Sequence, residues 1–271
     1  MNEFRLDPES LVFTLITKKT DECRACTTKD KAISSVEFLK GFVRIYEIKD
    51  DVQPSKYELV GDFFKSSNAD GYEEILVDSE KHENNLMAYG VEEIEKLLNI
   101  LVNRVNDLQP ERENELEPYK LGENLVISRS SGGHGYFDLI ITKIPKKEGK
   151  LCFGCESIKN SGNREVYKTE NFVVYVPFAP KYGFELVIAP RQHLQFKLCD
   201  SSRLFDLAAI IKKIFNAFGK ELNMAVSQNA QGHFKVTISN GKLDSYSMLG
   251  INRVENSPDI LAKEIRDSKK L

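Results

Sequence analysis

Cys152-Phe-Gly-Cys155 is a Cys-x-x-Cys pair, and Cys23-Arg-Ala-Cys26 is another. Four of the chain's five cysteines fall in these pairs, and Cys199 stands alone. The four histidines are His82, His134, His193 and His233. Read along the chain, the order is Cys-Cys-His-His, then Cys-Cys-His-His again, with the second set more closely spaced. A duplicated unit has this form after its loops drift.

A zinc ion takes four ligands in a tetrahedron, commonly two thiolates and two imidazoles. A Cys-x-x-Cys turn places two sulfurs on one side of the metal, and two histidines from distant strands close the other. One such pair alone is read equally as half of a zinc site or as a redox pair or coincidence. Two pairs, each followed by two histidines with none to spare, point to two structural zinc ions. The first set is Cys23, Cys26, His82 and His134. The second is Cys152, Cys155, His193 and His233. Cys199 reads as a partly buried thiol near a helix start.

The segments around these residues repeat one order. Phe42–Ile48 and Glu74–Asp78 read as strands, the second leading to His82. Val91, Ile94, Leu97, Leu98, Leu101, Val105 and Leu108 mark one face of a helix, with Pro110 past its end. Leu125–Ser128 and Phe137–Thr142 read as strands joined by a loop holding Ser131, Gly132, Gly133 and His134. In the second half, Phe172–Val176 and Phe184–Ile188 lead to His193. Leu204, Leu207, Ala208, Ile211, Ile214, Phe215 and Phe218 form the helix face, and Gly219 the C-cap. Met224–Ser227 and Phe234–Ile238 flank His233. The fold expected is α+β: two pseudo-repeated halves of mostly antiparallel sheet, each packing one long helix. The basic stretch Pro145–Lys150 marks the boundary, giving residues 1–147 and 148–271. Pro258 opens a last helix, with Ser257 as its cap.

Composition narrows the function classes. With 271 residues, 41% hydrophobic and 29% charged, the chain has the make-up of a folded globular protein rather than a disordered one. A net charge of −3 carries no basic surplus, which argues against a general nucleic-acid or anionic-membrane binder. No apolar run reaches the length needed to span a bilayer, and Met1–Ser10 lacks the pattern of a signal peptide. The expectation is a cytoplasmic protein, where thiols are not read first as disulfides.

These residues resemble the galactose-1-phosphate uridylyltransferase family, within the histidine-triad superfamily. Val176-Pro-Phe-Ala-Pro-Lys-Tyr-Gly-Phe-Glu-Leu-Val-Ile-Ala-Pro-Arg-Gln-His193 is similar to the family's second-half stretch, where a Pro-aromatic segment leads into a strand ending in Pro-(Lys/Arg)-x-His. Gly71-Tyr-Glu-Glu-Ile-Leu-Val-Asp-Ser-Glu-Lys-His82 resembles the corresponding first-half segment. Gly250-Ile-Asn252, Pro258-Asp259, Ala262 and Arg266 resemble its terminal pattern. The resemblance spans Cys23 to about Arg266 and implies the same eight metal ligands. It also implies a nucleotide or nucleotide-sugar as ligand, and a homodimer.

The chain departs from the family at its chemistry. In the family, a second motif histidine attacks the α-phosphate to form a uridylyl-histidine, and a glutamine after it stabilises the phosphoryl oxygens. Aligning His134-Gly-Tyr-Phe-Asp138 on that motif puts Tyr136 at the nucleophile and Asp138 at the glutamine. In the second half, Lys235 stands at the corresponding place. A tyrosine has a pKa near 10, so only about 0.1% is phenolate at neutral pH. Asp138 adds negative charge where an anionic phosphate must sit. Ser131, Gly132 and Gly133 offer backbone N–H groups to an anion, although a turn also calls for such glycines. The reading is a zinc-binding, nucleotide- or partner-binding protein without histidine-dependent uridylyl transfer. The alternatives are an active nucleotidyltransferase or phosphorylase on a nucleotide-sugar or nucleoside diphosphate, and an interaction scaffold.

Overall fold

The computed structural model describes residues 3–6, 13–16, 25, 32–39, 41–48, 65–68, 71–79, 86–108, 121–130, 135–145, 152–219, 221–228, 232–254 and 258–267. Its strands in chain order are β1 (Glu3–Leu6), β2 (Phe13–Ile16), β3 (Ser34–Phe38), β4 (Gly41–Glu47), β5 (Lys65–Asn68), β6 (Gly71–Val77) and β7 (Leu121–Arg129). They continue with β8 (Tyr136–Pro145), β9 (Glu165–Lys168), β10 (Phe172–Tyr175), β11 (Glu185–Pro190), β12 (Asn223–Gln228), β13 (Phe234–Ser239) and β14 (Ile251–Val254). The α-helices are α1 (Val91–Leu108), α2 (Phe153–Lys159), α3 (Ser201–Phe218), α4 (Ser245–Met248) and α5 (Pro258–Asp267).

Ten strands form one sheet in the order β3-β4-β6-β8-β7-β12-β13-β11-β10-β9, and every pairing in it is antiparallel. Read outward from the β7–β12 seam, the two halves have the same topology. β7, β8, β6, β4 and β3 match β12, β13, β11, β10 and β9. Helix α1 lies between β6 and β7 in sequence, as α3 lies between β11 and β12. The α+β fold of two pseudo-repeated halves, each with one long helix, is therefore as read from the sequence.

Both long helices pack on one face of this sheet and touch each other. Ile94, Leu97, Leu98, Leu101, Val102 and Val105 of α1 are buried there, with Leu204, Leu207, Ala208, Ile210, Ile211, Ile214 and Phe215 of α3. Burial of each of the larger of these side chains contributes about 1.5–3 kcal/mol, so this face carries most of the attachment. Val102 and Ile210 add to the expected stripes because each helix also faces its neighbour. Phe218 lies at the last turn and stays 58% exposed, against expectation. Asp200 caps α3 by accepting from the Arg203 N–H at 2.9 Å. Gly219 ends it at φ +100°, a conformation suited to glycine.

The opposite face is covered in patches. A second, four-stranded sheet, β14-β2-β1-β5, packs Phe4, Leu15 and Ile251 with Tyr246 against Ile140. Its β14–β2 pairing is parallel. Helix α2 packs Ile158 against Val173, Tyr175, Val187 and Ala189 near the β9 edge. Between these patches the sheet presents polar side chains. No helix among the described residues is long and apolar enough to cross a membrane.

Candidate metal centre

Strands β11 and β13 are adjacent and antiparallel, with Ile188 opposite Val236. The end of β11 therefore meets the start of β13. His193 lies just past β11 and His233 just before β13, so both imidazoles arrive at one end of the sheet. The pair Cys152 and Cys155 sits across the start of α2. One helical turn separates the two, and their sulfurs face the histidines.

The four ligand atoms lie within 4.8 Å of one another. Cys155 Sγ is 3.3 Å from His233 Nδ1 and 3.6 Å from His193 Nδ1. Cys152 Sγ is 3.6 Å from His233 Nδ1. A tetrahedral zinc with bonds of about 2.3 Å to sulfur and about 2.0 Å to nitrogen requires S···N edges of about 3.5 Å. The spacing and the donor set both fit such an ion.

The surroundings set the right form of the ligands. His233 Nε2 lies 3.2 Å from the Pro190 carbonyl oxygen. A neutral imidazole that donates Nε2–H to this carbonyl leaves the Nδ1 lone pair for a metal. Burial lowers the His233 pKa and so favours the neutral form; the charge of His193 acts the same way, and the Pro190 bond opposes it. Burial, then the neighbouring Cys152, pushes the Cys155 thiol up. A bound cation reverses that effect by stabilising the thiolate. Gly154 is required here: a Cβ would come within 2.8 Å of His233 Cγ. Gly232, at φ +81°, turns the chain into His233.

Cys23, Cys26, His82 and His134, with Ser131, Gly132 and Gly133, lie outside the described residues. A buried ion pair joins Asp78 and Arg129, which precede His82 and His134 in sequence. Asp78 follows β6, and Arg129 ends β7. Arg129 Nη1 donates to both carboxylate oxygens of Asp78 at 3.0 Å, and the two side chains are 2% and 0% exposed. The Asp78 N–H donates to the Gly135 carbonyl at 3.0 Å. A Cβ on Gly135 would fall 2.8 Å from Asp78 Oδ1 and 2.9 Å from Arg129 Nη2. The Arg129 guanidinium also stacks on Phe137, 4.7 Å from its ring centroid. Burial, with the Asp78 charge and hydrogen bond, holds the Tyr89 phenol above its ordinary pKa. Sequence reading missed this pair, because partners 51 residues apart leave no local signal.

Tyr136, Asp138 and Lys235 all project to the sheet face opposite the long helices, but the structure does not bring them together. Tyr136 pairs with Val77, near the Arg129 end of β8. Asp138 Oδ2 accepts from Ser245 Oγ at 3.2 Å, and Ser245 Oγ lies 2.8 Å from Ser128 Oγ. Lys235 sits three strands away on β13, opposite Ser227. Cys199 is buried directly before the α3 cap, and burial pushes its thiol up to about 12. That value keeps it an inert thiol at neutral pH.

No family model matches the chain. The chain is 26% identical over 219 residues to galactose-1-phosphate uridylyltransferase of Thermotoga maritima, covering 72% of this chain and 68% of that protein. It is 31% identical over 99 residues to ADP-glucose phosphorylase of Arabidopsis thaliana, covering 36% of this chain and 25% of that protein. A solved uridylyltransferase superposes over 98% of both chains with a TM-score of 0.61 at 17% identity. The chain is galactose-1-phosphate uridylyltransferase-like in sequence, and the solved structure shares its fold.

Proposed function

We propose that this galactose-1-phosphate uridylyltransferase-like chain is a zinc-stabilised protein that binds a nucleotide or nucleotide-sugar and lacks histidine-dependent uridylyl transfer. Its halves are residues 1–147 and 148–271, each organised around one zinc ion. Cys152, Cys155, His193 and His233 hold one, and Cys23, Cys26, His82 and His134 hold the other. A structural zinc supplies folding energy by closing a four-ligand site. Within this reading the protein is cytoplasmic and homodimeric.

One observation carries the reading. The chain has only four histidines, and assigning all four to metal leaves no imidazole to attack a phosphate. The position two residues after His134 is Tyr136, a weak nucleophile at neutral pH. Asp138, at the position of the phosphate-stabilising glutamine, is already held by Ser245. An anionic acceptor there opposes the charge that a phosphoryl transition state develops.

A nucleotide ligand is supported by the relatives, one named a uridylyltransferase and the other an ADP-glucose phosphorylase. The same names support a second reading, direct phosphorolysis or transfer without an enzyme-bound intermediate. Incubation with UDP-hexose labelled in the nucleotide, followed by denaturing electrophoresis, tests the main reading. No label should remain on the protein. A stable protein-bound nucleotidyl group that survives denaturation would overturn it.

A further inference from the structure

A cleft of about 200 Å³ opens beside the second metal cluster, on the sheet face away from the long helices. Buried Ser227 and exposed Lys235, which sit directly opposite each other on β12 and β13, both line it. Directly opposed residues on one sheet face hold their Cβ atoms about 5 Å apart, so one small group can reach both. One wall is α2, through Phe153 and Ser157, and the other is the end of α4, through Met248. Among the described residues no carboxylate lines the cleft.

Lys235 makes no hydrogen bond or ion pair with any described residue, and neither does the Ser227 hydroxyl. The charged groups acting on Lys235 are Glu185 and Lys181, of opposite sign. The Glu185 carboxylate is itself engaged by the Lys181 backbone N–H at 2.6 Å. A cation and a hydroxyl side by side, with both hydrogen-bonding capacities open, match an oxyanion. The exposed ring of Phe153 and the Met248 side chain give the same cleft an apolar rim. The volume lies below the roughly 300–1,000 Å³ of sites for drug-sized ligands, so the occupant is small.

We propose that this second-half cleft is a binding site for a small phosphate ester, whose phosphate sits on Lys235 and Ser227 and whose organic part lies against Phe153. The site is separate from the first-half motif positions Tyr136 and Asp138, which lie three strands away. It also gives the metal cluster a consequence beyond stability. Cys155 belongs to the helix that forms one wall, and Gly154 lies against the His233 ring. Ligand binding in the cleft therefore depends on the cluster's holding α2 in place.

The test is calorimetry on the metal-loaded full chain, titrated with inorganic phosphate, phenyl phosphate and phenol. Saturable binding of both phosphates is expected, phenyl phosphate the tighter, with none for phenol. Lys235→Met should weaken both by about tenfold or more, with melting temperature and metal content unchanged. Lys235→Arg should keep most of the affinity. Failure of both phosphates to saturate into the millimolar range overturns the proposal. So does unchanged phosphate affinity in folded Lys235→Met, which would place the anion elsewhere. Nucleotide titrations on the same variant separate this site from the proposed nucleotide site. Nucleotide binding that survives Lys235→Met while phenyl phosphate binding is lost shows two sites.

Discussion

His233 Nε2 meets the Pro190 carbonyl oxygen at 3.2 Å, across the junction of β13 and β11. The contact fixes the ring so that Nδ1 points at both sulfurs. An outer hydrogen bond of this kind orients a metal-ligating histidine and selects its tautomer. Because it comes from a backbone carbonyl, no substitution at position 190 other than one that shifts the strand removes it.

Replacement of a ligand should therefore show in both metal and stability. Purified protein is expected to carry two zinc ions per chain, and Cys155→Ser to carry one. A ligand loss costing about 3 kcal/mol lowers the melting temperature by roughly 6–12 °C in a chain of this size. Elemental analysis and thermal melting on one sample check both. Unchanged melting with unchanged zinc would remove Cys155 from the site.

Gly154→Ala tests the close approach at the cluster. The added Cβ would fall 2.8 Å from His233 Cγ, so either α2 or the imidazole must shift. The expected outcome is a loss of about 1–3 kcal/mol and weaker zinc retention against a chelator. Gly219→Ala, at positive φ with open space around it, should cost stability without changing zinc retention.

Acid should act through the same residues. The folded-state pKa of His233 is lowered, so the unfolded chain takes up its proton first as pH falls. This contribution to stability is complete above the unfolded value of about 6.5 and declines as pH drops below it. Protonation also competes with metal at thiolate and imidazole alike. Melting temperature should hold from pH 8 to 7 and fall below pH 6.5, together with zinc release. A melting temperature flat down to pH 5 would contradict this.

The buried Asp78–Arg129 pair gives a prediction about the first half. Arg129→Met leaves a carboxylate buried without its cation, at a cost of about 3–5 kcal/mol. The segments leading to His82 and His134 depart from this pair, so zinc content should fall from two to one. Lys at 129 supplies the charge but neither the fork nor the stacking on Phe137, and should restore stability only in part. Urea denaturation with parallel zinc analysis distinguishes the three forms.

Much of this was legible because periodicity and ligand chemistry are local. The helix faces of α1 and α3 repeat at 3.6 residues, and His193 and His233 were paired with Cys152 and Cys155 by order alone. The missed elements lacked such signals. β3 and β9 are outer strands whose residues are mostly exposed, so neither shows an apolar alternation. The four-stranded sheet joins residues near both chain ends, a pairing that no single stretch encodes. Phe218 continued an apolar stripe past the point where the sheet still covers it, although its ring remains 4.8 Å from Phe184. The sequence placed Tyr136 and Lys235 at matching positions in the repeat. Only the β7–β12 seam shows that these positions lie three strands apart on the same sheet face.

Calorimetric titration of the metal-loaded protein with UDP, ADP and their hexose conjugates tests the central claim most directly. The account predicts saturable, micromolar binding of at least one nucleotide, without turnover of the conjugates. Absence of binding to all of them would contradict it, leaving a zinc-held fold that serves a macromolecular partner instead.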